Sequence, residues 1–522
     1  MYRKIIAFVL TAAAGAGAVG VTDWLSINGT NEAFYLRQRE DGHRWTWDTL
    51  QAEVWAWRFA VGVEAGFDHP RQPVIEATNA DDFDIEGNEI IQRYARYRDD
   101  IFDLRAGDFD KTLGKGLTLR SYEDRDFGVY QRLDGGVADV SVAFGERDWG
   151  DITALWGRSS RQIEVLTAKG LETLGWDRVG GGQLTLRPLD FVYLTGSTAR
   201  AKVFDESTTE QEENTLYAGG LGGGWQYFDL YGEYATRDGY DAFFQEDRKG
   251  KGFYGIVTGY PPRSSISFQY KLYDDLAYRY NNPPPVSVDE YMITGPGPLT
   301  PPGEWGYYVQ ASANPVGDVR VRGGYSYADD KVGENDVKAE EVEQYFANVR
   351  YDLPWPVVLE GEYEYLGTLH IVGEDVTGDI KRTPSLAVSL TPWDAHSFSA
   401  KFEREEKTEY TLGGRIFVSN RADVGYTYSS WLGLTVSYED TDETAKELVR
   451  LGLDPFKDPD VNRYKNNWLW GEVRLSWYNE LFQNHVLTIG YGSRRGGYVC
   501  SSGVCQTEVS FNGLKVALES SF

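Results

Sequence analysis

The chain has 522 residues, with 52 Lys and Arg against 80 Asp and Glu, for a formal charge of −28. An excess of that sign excludes nucleic-acid binding of the usual basic kind, which needs cations along the phosphate backbone. Mean hydropathy is −0.46 and no run of eighteen apolar residues occurs, which excludes a transmembrane helix but not strands that are apolar only at alternate places.

Taken from the start, Arg3 and Lys4 form a basic region, 5–14 an apolar one and 16–18 a small-residue site. This pattern predicts a secretory signal over 1–18 cut after Ala18, with Ala16 and Gly20 as alternatives. No cysteine lies near the cut, so a lipoprotein is excluded; the two cysteines are Cys500 and Cys505. The remainder, 19–522, reads as one all-β domain. The 35 Tyr, 16 Trp and 58 Gly against two Met fit aromatic girdles and many turns, although a soluble secreted β-protein shares that composition.

Early in this domain Trp55, Trp57, Phe59, Val61, Val63, Ala65 and Phe67 alternate as one strand. Two placements stay open for 25–40 and for 112–129, and likewise for 107–128 as a block: in a barrel wall, or inside the lumen. Farther on, short turn-forming connections at 187–190, 220–224, 260–263, 314–317, 353–356 and 391–394 alternate with long polar segments at 202–213, 237–250, 274–304, 328–341, 367–382, 439–464 and 494–509. Sorting of short and long connections to opposite rims predicts a transmembrane antiparallel β-barrel of roughly 22–26 strands, with short periplasmic turns and long extracellular loops.

The strand faces agree. In 357–365 Val357, Leu359, Gly361, Tyr363 and Tyr365 face lipid, while Val358, Glu360, Glu362 and Glu364 face inward, because three carboxylates on one face cannot meet hydrocarbon. In 319–327 and 345–351 the inward sets include Arg320, Arg322 and Arg350. The run 424–438 is apolar or hydroxylic at every even place and reads as one strand too long for the bilayer. Tyr325, Tyr327, Tyr363 and Tyr365 would form an outer aromatic girdle, and Tyr351, Trp355 and Trp477 an inner one. The final strand sets Leu514, Val516, Leu518 and Phe522 on one face. It resembles the terminal signal read by the barrel-insertion machinery, carried here by Gly513, Val516, Leu518 and Phe522, with Phe511 where that signal usually has a polar residue.

The stretch 107–120, Gly-Asp-Phe-Asp-Lys-Thr-Leu-Gly-Lys-Gly-Leu-Thr-Leu-Arg, continues through 122–128, Tyr-Glu-Asp-Arg-Asp-Phe-Gly. It resembles the amino-terminal signature of an uncharacterised family, a domain of unknown function, of large bacterial outer-membrane barrels. The segment 491–497 followed by Cys500 and Cys505 is similar to that family's closing motif, while Asp110 stands where an aromatic residue is expected. The resemblance implies a barrel, export and no assigned activity.

Motifs for chemistry are weak. Gly114 and Lys115 lack the remaining residues of a phosphate loop, since Phe109 and Gly116 occupy the deciding places. The acidic stretch 82–87 begins like a calcium loop but Arg93 stands where its closing acid belongs. The five histidines are scattered, so the residues name no metal, cofactor or catalytic group. His370 beside Glu374 and Asp375 in a long loop is the one arrangement that would suit a rim hydrolase.

The expectation is therefore a Gram-negative outer-membrane protein, not an enzyme, and a porin-like channel whose pore lining includes Arg320, Arg322, Arg350, Glu360, Glu362 and Glu364. The alternative is a non-conducting scaffold whose long loops bind a protein, lipopolysaccharide or glycan. Expected partners are outer-membrane lipid, lipopolysaccharide and the insertion machinery, and no nucleic acid. Cys500 and Cys505, with four residues between them in an exported chain, are expected to form a disulfide in the last outer loop.

Overall fold

A computed structural model describes residues 25–521 apart from 40–43, 70–86, 125–128, 146, 160–162, 168–169, 205–210, 242–245, 277, 282–302, 331–340, 373–374, 411–414, 443–465, 479–483, 495–496, 502–503 and 509–510. The segment 1–18 read as an export signal, the acidic stretch 82–86, Glu374 and Phe522 thus lie outside the described residues. Twenty-four strands pair side by side, each antiparallel to its neighbours, from Leu25–Gln38 to Phe511–Ser521. The ring closes where Phe511–Ser521 bonds both Asn484–Arg494 and Leu25–Gln38. Closure removes both sheet edges, which lipid requires because nothing there can satisfy an unpaired N–H or C=O. The protein is an all-β closed barrel, within the expected strand range. A circular barrel of this strand number measures about 45–50 Å across its backbone, given strands about 4.8 Å apart and tilted about 40°.

Alternation sorts the side chains. Val61 at 63 %, Leu386 at 57 % and Val424 at 60 % exposure belong to an outward apolar surface that a soluble protein would bury. Aromatic residues band both ends. Trp57, Tyr227, Trp355, Trp393 and Tyr478 lie exposed at the short-turn rim. Near the long-loop rim Tyr345 stacks on Tyr365 at 4.4 Å, and Trp305 lies 5.4 Å from Tyr327. Amphipathic rings at two levels match the two interfaces of a bilayer.

Several expected boundaries move. The run 55–67 is a hairpin, Arg44–Ala56 and Phe59–His69, turning at Trp57 with φ 57°; Trp55 lies inside, bonded to Glu53. The run 424–438 likewise turns after Tyr428 at Ser429 with φ 51°, and Tyr428 pairs directly with Leu432. A three-residue turn restores the same face, so even places remain outward on both strands and conceal the reversal. The glycine-rich stretch 220–224 is strand, with the turn displaced to Gln226 and Tyr227. Its glycine is required for space, because a Cβ on Gly222 would collide with the Tyr193 ring. Segments 237–250 and 367–382 are mostly strand as well, since the strands extend to Asp241, from Glu246, to Val372 and from Asp375. His370 accordingly pairs with Thr377 inside a strand instead of occupying a loop.

Candidate functional site: the inner wall and its inward-folded segment

The wall strands Phe102–Phe109 and Leu133–Phe144 are direct neighbours, with Phe109 opposite Leu133. The chain therefore leaves the wall at the long-loop rim, and residues 110–124 and 129–132 lie against its inner face. Residues 107–109 belong to the wall, while 111–113 and 119–121 form a small hairpin in the interior. Leu113 and Leu119 are fully buried with Val137, Leu155, Val179 and Ala199, all inward residues of the wall. Leu117 is buried in a second cluster with Leu216, Tyr231 and Tyr254. Each such leucine contributes roughly 2 kcal/mol of apolar burial before ordering costs, which is why the segment adheres to the wall.

Polar contacts fix its register. The Gly114 N–H donates to Gln183 at 2.6 Å, and the Lys115 N–H to the Glu233 carboxylate at 2.9 Å. Glu233 also accepts from the Tyr231 hydroxyl at 2.6 Å. Gly114 has φ +59° and a Cβ there would collide with the Glu233 carboxylate, so only glycine makes this turn and this approach together. Thr118 meets Ser197 at 3.0 Å, and Lys111 binds Asp139 at 2.6 Å. At the base Arg132 reaches Asp110 and Glu123, each at 3.1 Å.

A second segment lies over the first. Beyond the strand Ser264–Asp274, the Tyr278 hydroxyl donates to the Thr118 carbonyl at 2.9 Å and the Asn281 amide to that of Leu117 at 2.9 Å. The Arg120 N–H donates to the Tyr280 carbonyl at 2.7 Å. Fully buried Asp177 anchors this strap: it receives Arg279 at 2.8 Å, the Tyr280 hydroxyl at 3.0 Å and the Phe204 N–H at 2.8 Å. The long-loop half of the inner wall from Leu133–Phe144 round to Ser264–Asp274 is thereby covered, while toward the short-turn rim inward residues such as Asp229 stay exposed.

The remaining inner wall differs. Arg320, Arg350 and Glu360 stand in one cross-strand row, and Arg322, Asn348 and Glu362 in the next. Strand alternation sets these arginines against the glutamates, yet Arg320 and Arg350 both reach Asp352, at 3.7 Å and 3.0 Å. Glu360 accepts from Asn348 at 2.8 Å, Glu364 from Gln344 at 3.0 Å, and Arg322 lies over the Phe346 ring at 5.1 Å. Charge continues along the wall with Lys381–Glu405 at 2.6 Å and Lys407–Asp379 at 2.7 Å. Arg320 is 62 % exposed and Glu362 is exposed, although both face inward, so water reaches this side of the lumen.

Other expected positions fall as follows. Val516 and Leu518 pair with Ile489 and Leu487 on one side and Tyr35 and Ala33 on the other, and Gly513 pairs with Gly492 and Gln38. Cys500 and Cys505 stand opposite each other in the hairpin Gly497–Ser501 and Val504–Glu508. Among the described residues no group of three His, Cys, Asp or Glu could hold a metal ion. Asp177, Gln183, Glu233 and Arg279 were missed; each is a single polar residue whose partner lies far away in the chain.

Residues 51–290 match the model of DUF6029, a family of unknown function. The resemblance read from 107–128 thus falls within the DUF6029 match, which also holds the hairpin, its anchors on the wall and the strap; the closing motif at 491–505 lies outside it. No curated protein matches the chain. Solved structures similar to it include the P pilus usher translocation pore PapC, with 9 % identity, 95 % of this chain and 98 % of that one covered, and a TM-score of 0.45. The siderophore receptor PirA of Pseudomonas aeruginosa gives 9 %, 96 %, 80 % and 0.49 in the same order. OccK5 (OpdH) of Pseudomonas aeruginosa gives 12 %, 71 %, 98 % and 0.42.

Proposed function

We propose that this protein is a Gram-negative outer-membrane conduit whose lumen is narrowed, and not filled, by its own hairpin 111–121 and the strap over it. The observation that carries the reading is the contrast between the two inner walls. Under the hairpin and strap the wall is buried, its polar groups such as Glu233 and Asp177 bonded within the packing, whereas Arg320 and Glu362 are inward-facing and exposed. A barrel about 45–50 Å across has room for both. Export by the segment 1–18, with turns toward the periplasm and long loops outward, completes the reading.

Conductance of the purified, refolded protein in a planar bilayer tests it: discrete steps are expected. Replacing Glu360, Glu362 and Glu364 by Gln should lower cation preference in a salt gradient while leaving insertion intact, because these side chains do not meet lipid. A silent wild-type barrel would instead favour the scaffold reading, in which the long loops engage a protein, lipopolysaccharide or glycan.

A further inference from the structure

The hairpin has two faces of different character. Its cross-strand pairs are Lys111 with Ser121, Thr112 with Arg120, and Leu113 with Leu119. Leu113, Leu119 and Ser121 are buried against the wall, and Lys111 binds the wall residue Asp139. Thr112 and Arg120 therefore share the opposite face, toward the lumen, where Thr112 is exposed and Arg120 half-buried. Exposed Lys115 stands at the tip.

Charge on this face is of one sign. Residues 111–121 hold three basic side chains and no acid, in a chain with 80 acids against 52 bases. Lys111 is neutralised by Asp139, and the nearby Arg279 of the strap by Asp177. For Lys115 and Arg120 the contacts among the described residues are with rings: the Lys115 ammonium lies 5.4 Å from the centre of Tyr231, and the Arg120 guanidinium 4.8 Å from that of Tyr122. The Lys115 N–H is spent on Glu233 and the Arg120 N–H on Tyr280, so both backbones are fixed, while the Lys115 side chain is exposed and that of Arg120 half-buried. The Glu233 carboxylate acts on Lys115 through space without a close ion pair. The Arg120 guanidinium, the Lys115 ammonium and the Thr112 hydroxyl are the polar groups this face offers to a ligand.

We infer that the lumen face of the hairpin, formed by Lys115, Arg120 and Thr112, is a binding station for solutes bearing phosphate or carboxylate oxyanions. As a step in permeation the station rests on the conduit reading; as a binding site it does not.

Titration calorimetry of the refolded barrel with sodium tripolyphosphate at low salt tests the site directly. Wild type should bind, with affinity falling as salt rises, and the double variant K115Q/R120Q should bind at least 10-fold more weakly, while R120K alone should keep most of the affinity. Heat-modifiable gel mobility checks that each variant is folded. A wild type that releases no heat, or a folded double variant that binds as well as wild type, would overturn the inference. In the same preparations, reversal potentials in a KCl gradient should shift toward cations in K115Q/R120Q. Binding without any conductance would retire the conduit and leave the station standing.

Discussion

Asp177 and Arg279, 102 residues apart in the chain, meet at 2.8 Å where the strap crosses the folded-in hairpin. Asp177 is fully buried and Arg279 mostly so. Losing one partner strands a charge, which costs about 3 kcal/mol for a buried pair. R279A should therefore lower the urea midpoint of vesicle-inserted barrel more than the double variant D177N/R279Q does, since the amide oxygen left at position 177 can still accept from the Phe204 N–H and the Tyr280 hydroxyl. Equal losses in the two variants would show that the charge pair is not what couples them.

The hairpin itself is held by apolar burial as well as by hydrogen bonds. L113A and L119A remove side chains that are fully buried against the wall, each worth about 2–5 kcal/mol when truncated. In the double variant the amides of Gly114, Lys115 and Arg120 should exchange with deuterium far faster than in wild type, while peptides from Val357–Val372 keep their rates. Uniform acceleration across both regions would mean that the wall, not the hairpin, had loosened.

At the opposite rim Asp99 closes the turn between Gly87–Arg98 and Phe102–Phe109. The Phe102 N–H, the Tyr97 hydroxyl and the Ile101 N–H all donate to its carboxylate and hold its pKa below the ordinary Asp value. A group with a depressed folded pKa stabilises above its unfolded pKa, near 4, and the contribution is lost as pH falls through the lower folded value. The stability gap between wild type and D99A should be constant from pH 7 to about pH 5 and close on further acidification. A gap independent of pH down to about 2.5 would assign the loss to packing.

Cys500 and Cys505 occupy directly opposed positions of a two-stranded hairpin. Protein purified from outer membranes should show no alkylation of either cysteine without prior reduction, by intact mass, because a chain exported to that membrane crosses an oxidising compartment. Two alkylated thiols under those conditions would dismiss the disulfide.

Fold class was legible because one face of every wall strand must be apolar: Val319, Val321 and Tyr325, or Leu359 and Tyr363, announce the wall by period two. Reversals were less so. Ser429 and Trp57 turn the chain in left-handed geometry without a glycine or proline to mark them, while 220–224, which looked like a turn, is strand, and Gly222 there leaves room for the Tyr193 ring. The charged lining at Arg350 and Glu360 followed from alternation, yet Asp352, which receives the arginines, is a lone acid beside a turn and gave no periodic sign. The hairpin's anchors were invisible for a related reason. Glu233 and Asp177 act through the places where distant segments arrive, and local sequence does not record arrival.

The seam joining Leu25–Gln38 to Phe511–Ser521 has a consequence for biogenesis. Its nine paired positions bring together residues nearly 500 apart, so these hydrogen bonds form only after the rest of the sheet is laid down. Until then two raw edges of backbone persist, tolerable in water or against a helper protein and intolerable in hydrocarbon. Zipping that seam removes both edges at once, and a mismatched register between Tyr35 and Val516 would leave unpaired backbone at the join.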